Sequence, residues 1–306
     1  MPRIESGVLA LAVVLASAAG AFAANCGGSG RSAVLCSCGD TVTSDHKLSR
    51  DPVVSKHGSV CPGDGLVVAP GVKLNLGGRT VAGVVGIATT GINVQSGASA
   101  ANGSISGFEN GVRLFDHASL EHCRLSPLEF GIVIEGPSAL ASSNRVSGVN
   151  GCLESAIYLF GDPQFSASGA TVSQNVLQSC RIGITVEAGV TGATVEKNRI
   201  SSSGDDGIEE QGSANLFDKN QSDRNQGNGF ACDGKDDTFS RNSASYNGGD
   251  GMEAFLGDAD TYTRNSARKN TGAGISADSV DNVDGGGNSG HGNGGLQCEI
   301  AGTPCL

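Results

Sequence analysis

Four carboxylates in the second half of the chain fall at matching places when the sequence is laid out by its recurring asparagines. Asp206, Asn228 and Asp250 share one column, and Glu209, Ala231 and Glu253 share another three residues further on. Asp206 and Asp250 are then two repeats apart, roughly 9–10 Å if each repeat adds one strand spacing. That is near the upper limit for the carboxyl pair of an inverting glycosidase, about 6.5–9.5 Å. The quartet Asp206, Glu209, Asp250 and Glu253 would equally form an acidic face able to hold a cation such as calcium. A solvated acidic face that keeps the protein in solution is the simpler alternative, because 31 Asp and Glu residues will align in places by chance.

A second group is aromatic. Tyr158, Phe160 and Phe165, with Asp162 among them, lie in a stretch where the asparagine spacing lengthens. Tyr158 and Phe160 alternate with Ile157 and Leu159, which directs them outward in a strand, where rings stack on sugars or a partner protein. Packing the extra residues against the rest of the fold is their competing role. Glu210 falls at an inward position equivalent to Cys232, Ala254 and Ala277. A buried carboxylate is costly, so a local bulge turning Glu210 outward is expected. His46, His57, His117, His122 and His291 show no metal-ligand spacing and are expected mostly at the surface.

The elements that position these residues are repeats. Asn175, Asn198, Asn220, Asn242, Asn265 and Asn288 follow at steps of 23, 22, 22, 23 and 23, most of them trailed ten residues later by Gly and an apolar residue. Asn102, Cys123 and Asn144 continue the series upstream, and the step from Asn144 to Asn175 is 31. A 22-residue unit cannot bury a core alone and must stack on its neighbours. The L-x-x-L-x-L frame of leucine-rich repeats and the nine-residue rhythm of calcium-binding rolls are both missing. Short alternating runs, such as Gly183-Ile-Thr-Val, fit three strands and three turns per coil. The expected fold is all-β: a right-handed parallel β-helix solenoid of about ten coils of roughly 22 residues. Asparagine suits the repeat because it tolerates left-handed turns and its amide both donates and accepts along a stack.

Residues 1–23 read as a signal peptide, with Arg3, an apolar run from Val8 to Ala19, and Ala21-Phe22-Ala23 as the cleavage site. No later run is long enough to span a membrane. A Cys-rich cap (24–62), the β-helix (63–296) and a C-terminal Cys loop (297–306) follow. All ten cysteines lie beyond the expected cut, and most should pair in an exported chain, with Cys298 and Cys305 closing the C-terminal end. Cys36-Ser37-Cys38 lacks the downstream partners of a zinc site. The net charge of −11 argues against nucleic acid, and against a bare polyuronate unless a cation intervenes.

Three segments carry a resemblance. Cys38-Gly-Asp-Thr-Val, Cys61-Pro-Gly-Asp-Gly-Leu-Val-Val and Val72-Lys-Leu-Asn-Leu-Gly-Gly-Arg-Thr-Val-Ala-Gly look like the opening of bacterial secreted β-helix-repeat proteins of the pectate-lyase-like superfold. The likeness covers roughly residues 36–296. It implies first rungs at Val72–Val81 and a Cys38–Cys61 bridge tying the cap to them. The superfold includes lyases, hydrolases, epimerases and adhesins, so it implies no single activity. Ser203-Gly-Asp-Asp-Gly-Ile208 and Gly290-His291-Gly292 resemble polygalacturonase motifs, but Asp206 and His291 are 85 residues apart, about four coils. That family's other motifs are absent, as are those of pectate lyases and alginate epimerases.

The expected function is that of a secreted (extracellular or periplasmic) or surface-associated protein engaging polysaccharide or surface glycan as a binding or structural module. The alternatives are a hydrolase, lyase or epimerase using the clustered carboxylates, and a protein-binding adhesin.

Overall fold

A computed structural model describes residues 24–54, 60–85 and 89–305, with the side chains of 149–151 excepted. The expected signal peptide and His57 lie outside the described residues. The chain forms an all-β solenoid of about eleven turns of about 23 residues, slightly more and longer than the asparagine spacing alone implies. Among the described residues no helix is long and apolar enough to cross a membrane.

Each turn contributes short strands to three parallel sheets. The first sheet runs through Asn110–Leu114, Phe130–Ile134, the ends of Arg145–Leu159 and Val176–Val186, then Ile208–Glu210, Phe230–Cys232, Met252–Ala254 and Ile275–Ala277. The second includes Thr194–Glu196, Leu216–Asp218, Thr238–Ser240 and Thr261–Thr263. The third includes Arg199–Ser201, Gln221–Asp223, Ser243–Ser245 and Ser266–Arg268. Residues stacked between turns are about 4.8 Å apart, so the solenoid turns sequence period into straight columns.

Inward columns supply the core. Ile132, Ile157, Ile184, Ile208, Phe230, Met252 and Ile275 stack under the first sheet, each essentially inaccessible. Under the second, Phe217, Phe239 and Tyr262 stack face to face at 4.8 and 5.1 Å. The scarcity of aromatics therefore conceals a concentrated aromatic column, each ring contributing roughly 1.5–3 kcal/mol by burial.

The asparagines form the expected ladder. Asn198 Oδ1 accepts the Asn175 N–H at 2.9 Å, Asn220 Oδ1 accepts the Asn198 N–H at 3.0 Å, and the pattern runs on through Asn242, Asn265 and Asn288. Each amide also donates to a neighbouring carbonyl, as Asn220 Nδ2 does to Val195 at 2.7 Å. The left-handed backbone, however, belongs to the preceding column: Gln174, Lys197, Lys219, Arg241 and Arg264 have φ between 55° and 58°. Asparagine is selected here for its amide, not for its tolerance of left-handed turns. Asn102 sits in that left-handed column with φ of 64°, one place before the ladder. Two further ladders were not evident from the sequence: Asn225–Asn247–Asn270–Asn293, and Asn215–Asp237–Asp260–Asn282, where aspartate replaces asparagine twice.

Four disulfides join Cys26–Cys36, Cys38–Cys61, Cys152–Cys180 and Cys298–Cys305. Cys123 and Cys232 are free and buried. The extra residues after Asn144 divide into two features. The strand Arg145–Leu159 carries register shifts between Ser147 and Ser155, and an antiparallel hairpin joins Gly161–Asp162 to Phe165–Ser166.

Candidate functional site

The outer face of the first sheet brings the aromatic and acidic candidates together. One outward column reads Arg113, Val133, Tyr158, Thr185, Glu209, Ala231, Glu253. Tyr158 is thus not part of an extra loop but a member of the wall that carries Glu209 two turns on and Glu253 four turns on. Asp206, Asn228 and Asp250 form a parallel column, linked by backbone N–H groups of Asn228 and Asp250 donating to Asp206 Oδ1 and Asn228 Oδ1 at 2.5 and 2.7 Å.

Asn228 joins the two carboxylates that flank it. Its backbone N–H meets Asp206, and its Nδ2 donates to Glu253 Oε2 at 2.6 Å. Asp206 is half-buried, and its pKa is pushed up to about 6. Desolvation is the main cause, opposed by the Asn228 N–H and reinforced by Asp205, Glu209 and Glu253. Glu209 is raised too, mainly by desolvation, with the Arg181 guanidinium pulling the other way. The wall therefore holds in Asp206 a carboxyl poised to carry a proton near neutral pH.

On the preceding turns the wall is aromatic. Phe130 and Tyr158 lie 5.1 Å apart by ring centroids, and Tyr158 and Phe160 6.2 Å apart. The Tyr158 hydroxyl donates to Glu187, and burial together with that carboxylate raises its pKa. Phe165, on the hairpin, projects from the edge and is 54% exposed. Arg181 pairs with Glu154 at 2.6 Å and with Asp205 at 3.4 Å. It also borders a cleft of about 460 Å³ lined by Cys152, Leu153, Ser179, Cys180, Ser202 and Gly204. Arg113 is likewise matched, to Glu135. The cations on this face are thus neutralised within the protein.

Three sequence expectations need correction or closure. Glu210 is not turned outward: it is fully buried, its Oε1 accepting the Gly212 N–H at 2.6 Å and the Asn215 amide at 3.1 Å. No bulge occurs at this point because Asp237 and Asn215 already line the interior beneath it with polar groups. His46 is buried as well, its Nε2 2.7 Å from Asp51 Oδ1. With Cys36 these two form the only close group of three possible metal ligands among the described residues, but Cys36 is committed to its disulfide. Three wall carboxylates nowhere converge closely enough to form a calcium cage among the described residues, so no step is assigned to calcium. What sequence reading missed is the shared column of Tyr158, Glu209 and Glu253, because the irregular step after Asn144 hides the register across it.

No curated protein sequence matches the chain. By structure it is similar to the A-module of the Azotobacter vinelandii mannuronan C-5 epimerase AlgE6, at 12% identity and TM-score 0.55, covering 76% of this chain and 67% of that one. It is similar also to an alginate lyase from Paenibacillus sp. str. FPU-7, at 16% identity and TM-score 0.51, covering 74% and 94%. A tailspike protein of E. coli bacteriophage HK620, solved with a pentasaccharide, aligns at 10% identity and TM-score 0.50, covering 79% and 51%. Identities this low establish a common fold. The family model described as the right-handed β-helix region matches residues 60–236 and 155–303, most of the solenoid, and the chain belongs to that family.

Proposed function

We propose that the protein is an exported polysaccharide-active enzyme whose substrate lies along the outer face of the first sheet. The observation that carries this reading is the Asp206–Asn228–Glu253 arrangement: a carboxyl with its pKa lifted to about 6 and a second carboxylate held one turn beyond the intervening Asn228. Asp206 protonates the leaving glycosidic oxygen and Glu253 activates water from the other side of the sugar, the division of labour of an inverting hydrolase. Tyr158, Phe130 and Phe160 offer ring faces for sugars beyond the scissile bond.

Charge on the wall favours a neutral glycan. A uronate carboxylate needs a partner cation, and Arg113 and Arg181 are already paired. The likeness to polysaccharide epimerases, lyases and tailspikes supports a polymer substrate, and four disulfides fit an oxidising compartment.

A binding module is the second reading, favoured by one observation. Asp206 and Asp250 each spend one carboxylate oxygen on a backbone N–H of the next turn, a structural use. The test is a reducing-end assay of the purified mature protein on a panel of neutral and acidic polysaccharides. Loss of turnover in Asp206→Asn and Glu253→Gln, with melting unchanged, supports the enzyme. Retained binding with no turnover by the wild type on any glycan overturns it in favour of the module.

A further inference from the structure

The third sheet presents the opposite electrostatics. Lys and Arg number nine from residue 190 onward, and eight of them lie on this sheet or its two bordering turns. Lys197, Lys219, Arg241 and Arg264 form one exposed file along the left-handed turn before the sheet. Arg224 and Lys269 flank Tyr246 on the turn after it, and Arg199 and Arg268 face outward between the files. Of the carboxylates in the same stretch, Glu196, Asp218, Asp223 and Asp284 border this surface among the described residues; Asp218 and Asp223 are largely buried, and Asp284 caps the last turn by accepting from the Asn288 amide. Arg199, Arg224, Arg264, Arg268 and Lys269 make no salt bridge among the described residues.

Tyr246 is 52% exposed and lies between its two cations, with Arg224 5.6 Å and Lys269 5.2 Å from the ring centre. The ring face attracts both cations and gathers them on this border. The file on the other border places a cation on each of four successive turns, about 4.8 Å apart. Lys197 pairs with Glu196, and Lys219 and Arg241 share Asp218, so two carboxylates stand against four cations and the file keeps a positive excess. The two files are separated by a strand of about 16 Å. Screening confines such a field to roughly 8 Å at physiological salt, so the local sign overrides the net charge of −11 for a polymer lying on the surface.

We propose that the outer face of the third sheet is a docking surface for an anionic polysaccharide, distinct from the acidic first-sheet wall. The partner is a linear glycan bearing about one carboxylate or sulfate per sugar, whose anions run in file as the cations do. Duplex DNA, with a charge per about 1.7 Å, suffers far more from the acidic remainder of the molecule. In this arrangement the protein is retained on an acidic polymer by one face while the first-sheet wall stays open.

The test uses the whole mature protein and measures binding to polygalacturonate, dextran sulfate, neutral dextran and a short DNA duplex, with EDTA present throughout. Polygalacturonate and dextran sulfate separate carboxylate from sulfate as the recognised anion. The variant Lys219→Asn/Arg264→Asn/Lys269→Asn puts asparagine at three left-handed positions, where its backbone preference is suitable. It should bind the anionic glycan about tenfold more weakly, as three exposed charge contacts would give. Should the triple variant misfold, Arg199→Gln/Arg268→Gln tests the same surface from outward strand positions. Equal binding to neutral dextran, unchanged binding in both variants, or DNA bound as tightly as the glycan at equal salt would each overturn the proposal.

Discussion

Glu210 Oε2 and Asp237 Oδ2 face the same point inside the solenoid, beside Gly234, and neither has a hydrogen-bond donor from the rest of the protein. Two buried carboxyls so placed are stable when a proton lies between them. Desolvation and the Glu210 carboxylate push the Asp237 pKa up to about 9; Glu210 is also raised, chiefly by burial. Asp260, itself raised to about 7, adds its repulsion to Glu210, and Asp236 adds its own to Asp237, while burial raises Cys232 and Tyr262 alongside. The folded state therefore binds protons that the unfolded chain releases above its ordinary carboxyl pKa. Stability from this pair is complete below about pH 4 and declines as pH rises toward 9. Asp237→Asn retains the ladder oxygen and supplies a permanent donor. Its expected effect is a flatter dependence of melting temperature on pH, with a gain of about 3–6 °C at pH 8. A variant that melts lower than wild type at pH 8 would contradict the shared proton.

The same geometry gives a steric prediction. A Cβ on Gly234 would lie 1.9 Å from Glu210 Oε2 and 2.5 Å from Asp237 Oδ2. Gly234 has no positive φ, so contact alone forbids a side chain there. Gly234→Ala should cost about 1–3 kcal/mol, read from chemical denaturation, through displacement of the carboxyl pair. Gly192→Ala meets no atom but has φ of 67°, so its smaller loss should come from backbone strain.

Period and alternation made the solenoid legible, because every turn repeats the same demand for an apolar side chain inward and a ladder amide at its corner. They also placed Asp206, Asp250, Glu209 and Glu253 in their columns. They do not reach Glu210, because a buried carboxylate is costly for any residue considered without its partners. Its partners Asp237 and Asp260 are 27 and 50 residues away, and their aspartates occupy a second ladder whose rhythm is masked by the acid-for-amide exchange. Tyr158 was separated from Glu209 for a related reason: the inserted residues shift the count without shifting the sheet.

The main ladder should respond sharply to loss of one amide. Asn220→Ala removes the acceptor of the Asn198 N–H and the donors to Val195 O and Asn242 Oδ1, all in the interior. Each orphaned buried group costs about 1–3 kcal/mol, so a loss of about 3 kcal/mol or more is expected by denaturant titration. Asn220→Asp keeps the acceptor but needs a proton to donate, and should be much less damaging at pH 4.5 than at pH 8. Equal loss at both pH values would show that the donor function of Asn220 is dispensable.

Catalysis at Asp206 makes a directional prediction about pH. If this carboxyl is the acid, kcat/KM declines as pH rises through about 6, because the proton it must deliver is lost. Glu209→Gln removes one of the charges that hold the Asp206 proton on, so the declining limb should move to lower pH while the rate at acid pH is largely kept. Asp206→Asn should lower kcat by about 10²–10⁴-fold and abolish the limb. Asn228→Ala leaves the backbone N–H to Asp206 but frees Glu253, so it should reduce kcat without moving that limb. A limb that stays in place in Glu209→Gln but shifts in Asn228→Ala would assign the titrating acid to Glu253 instead.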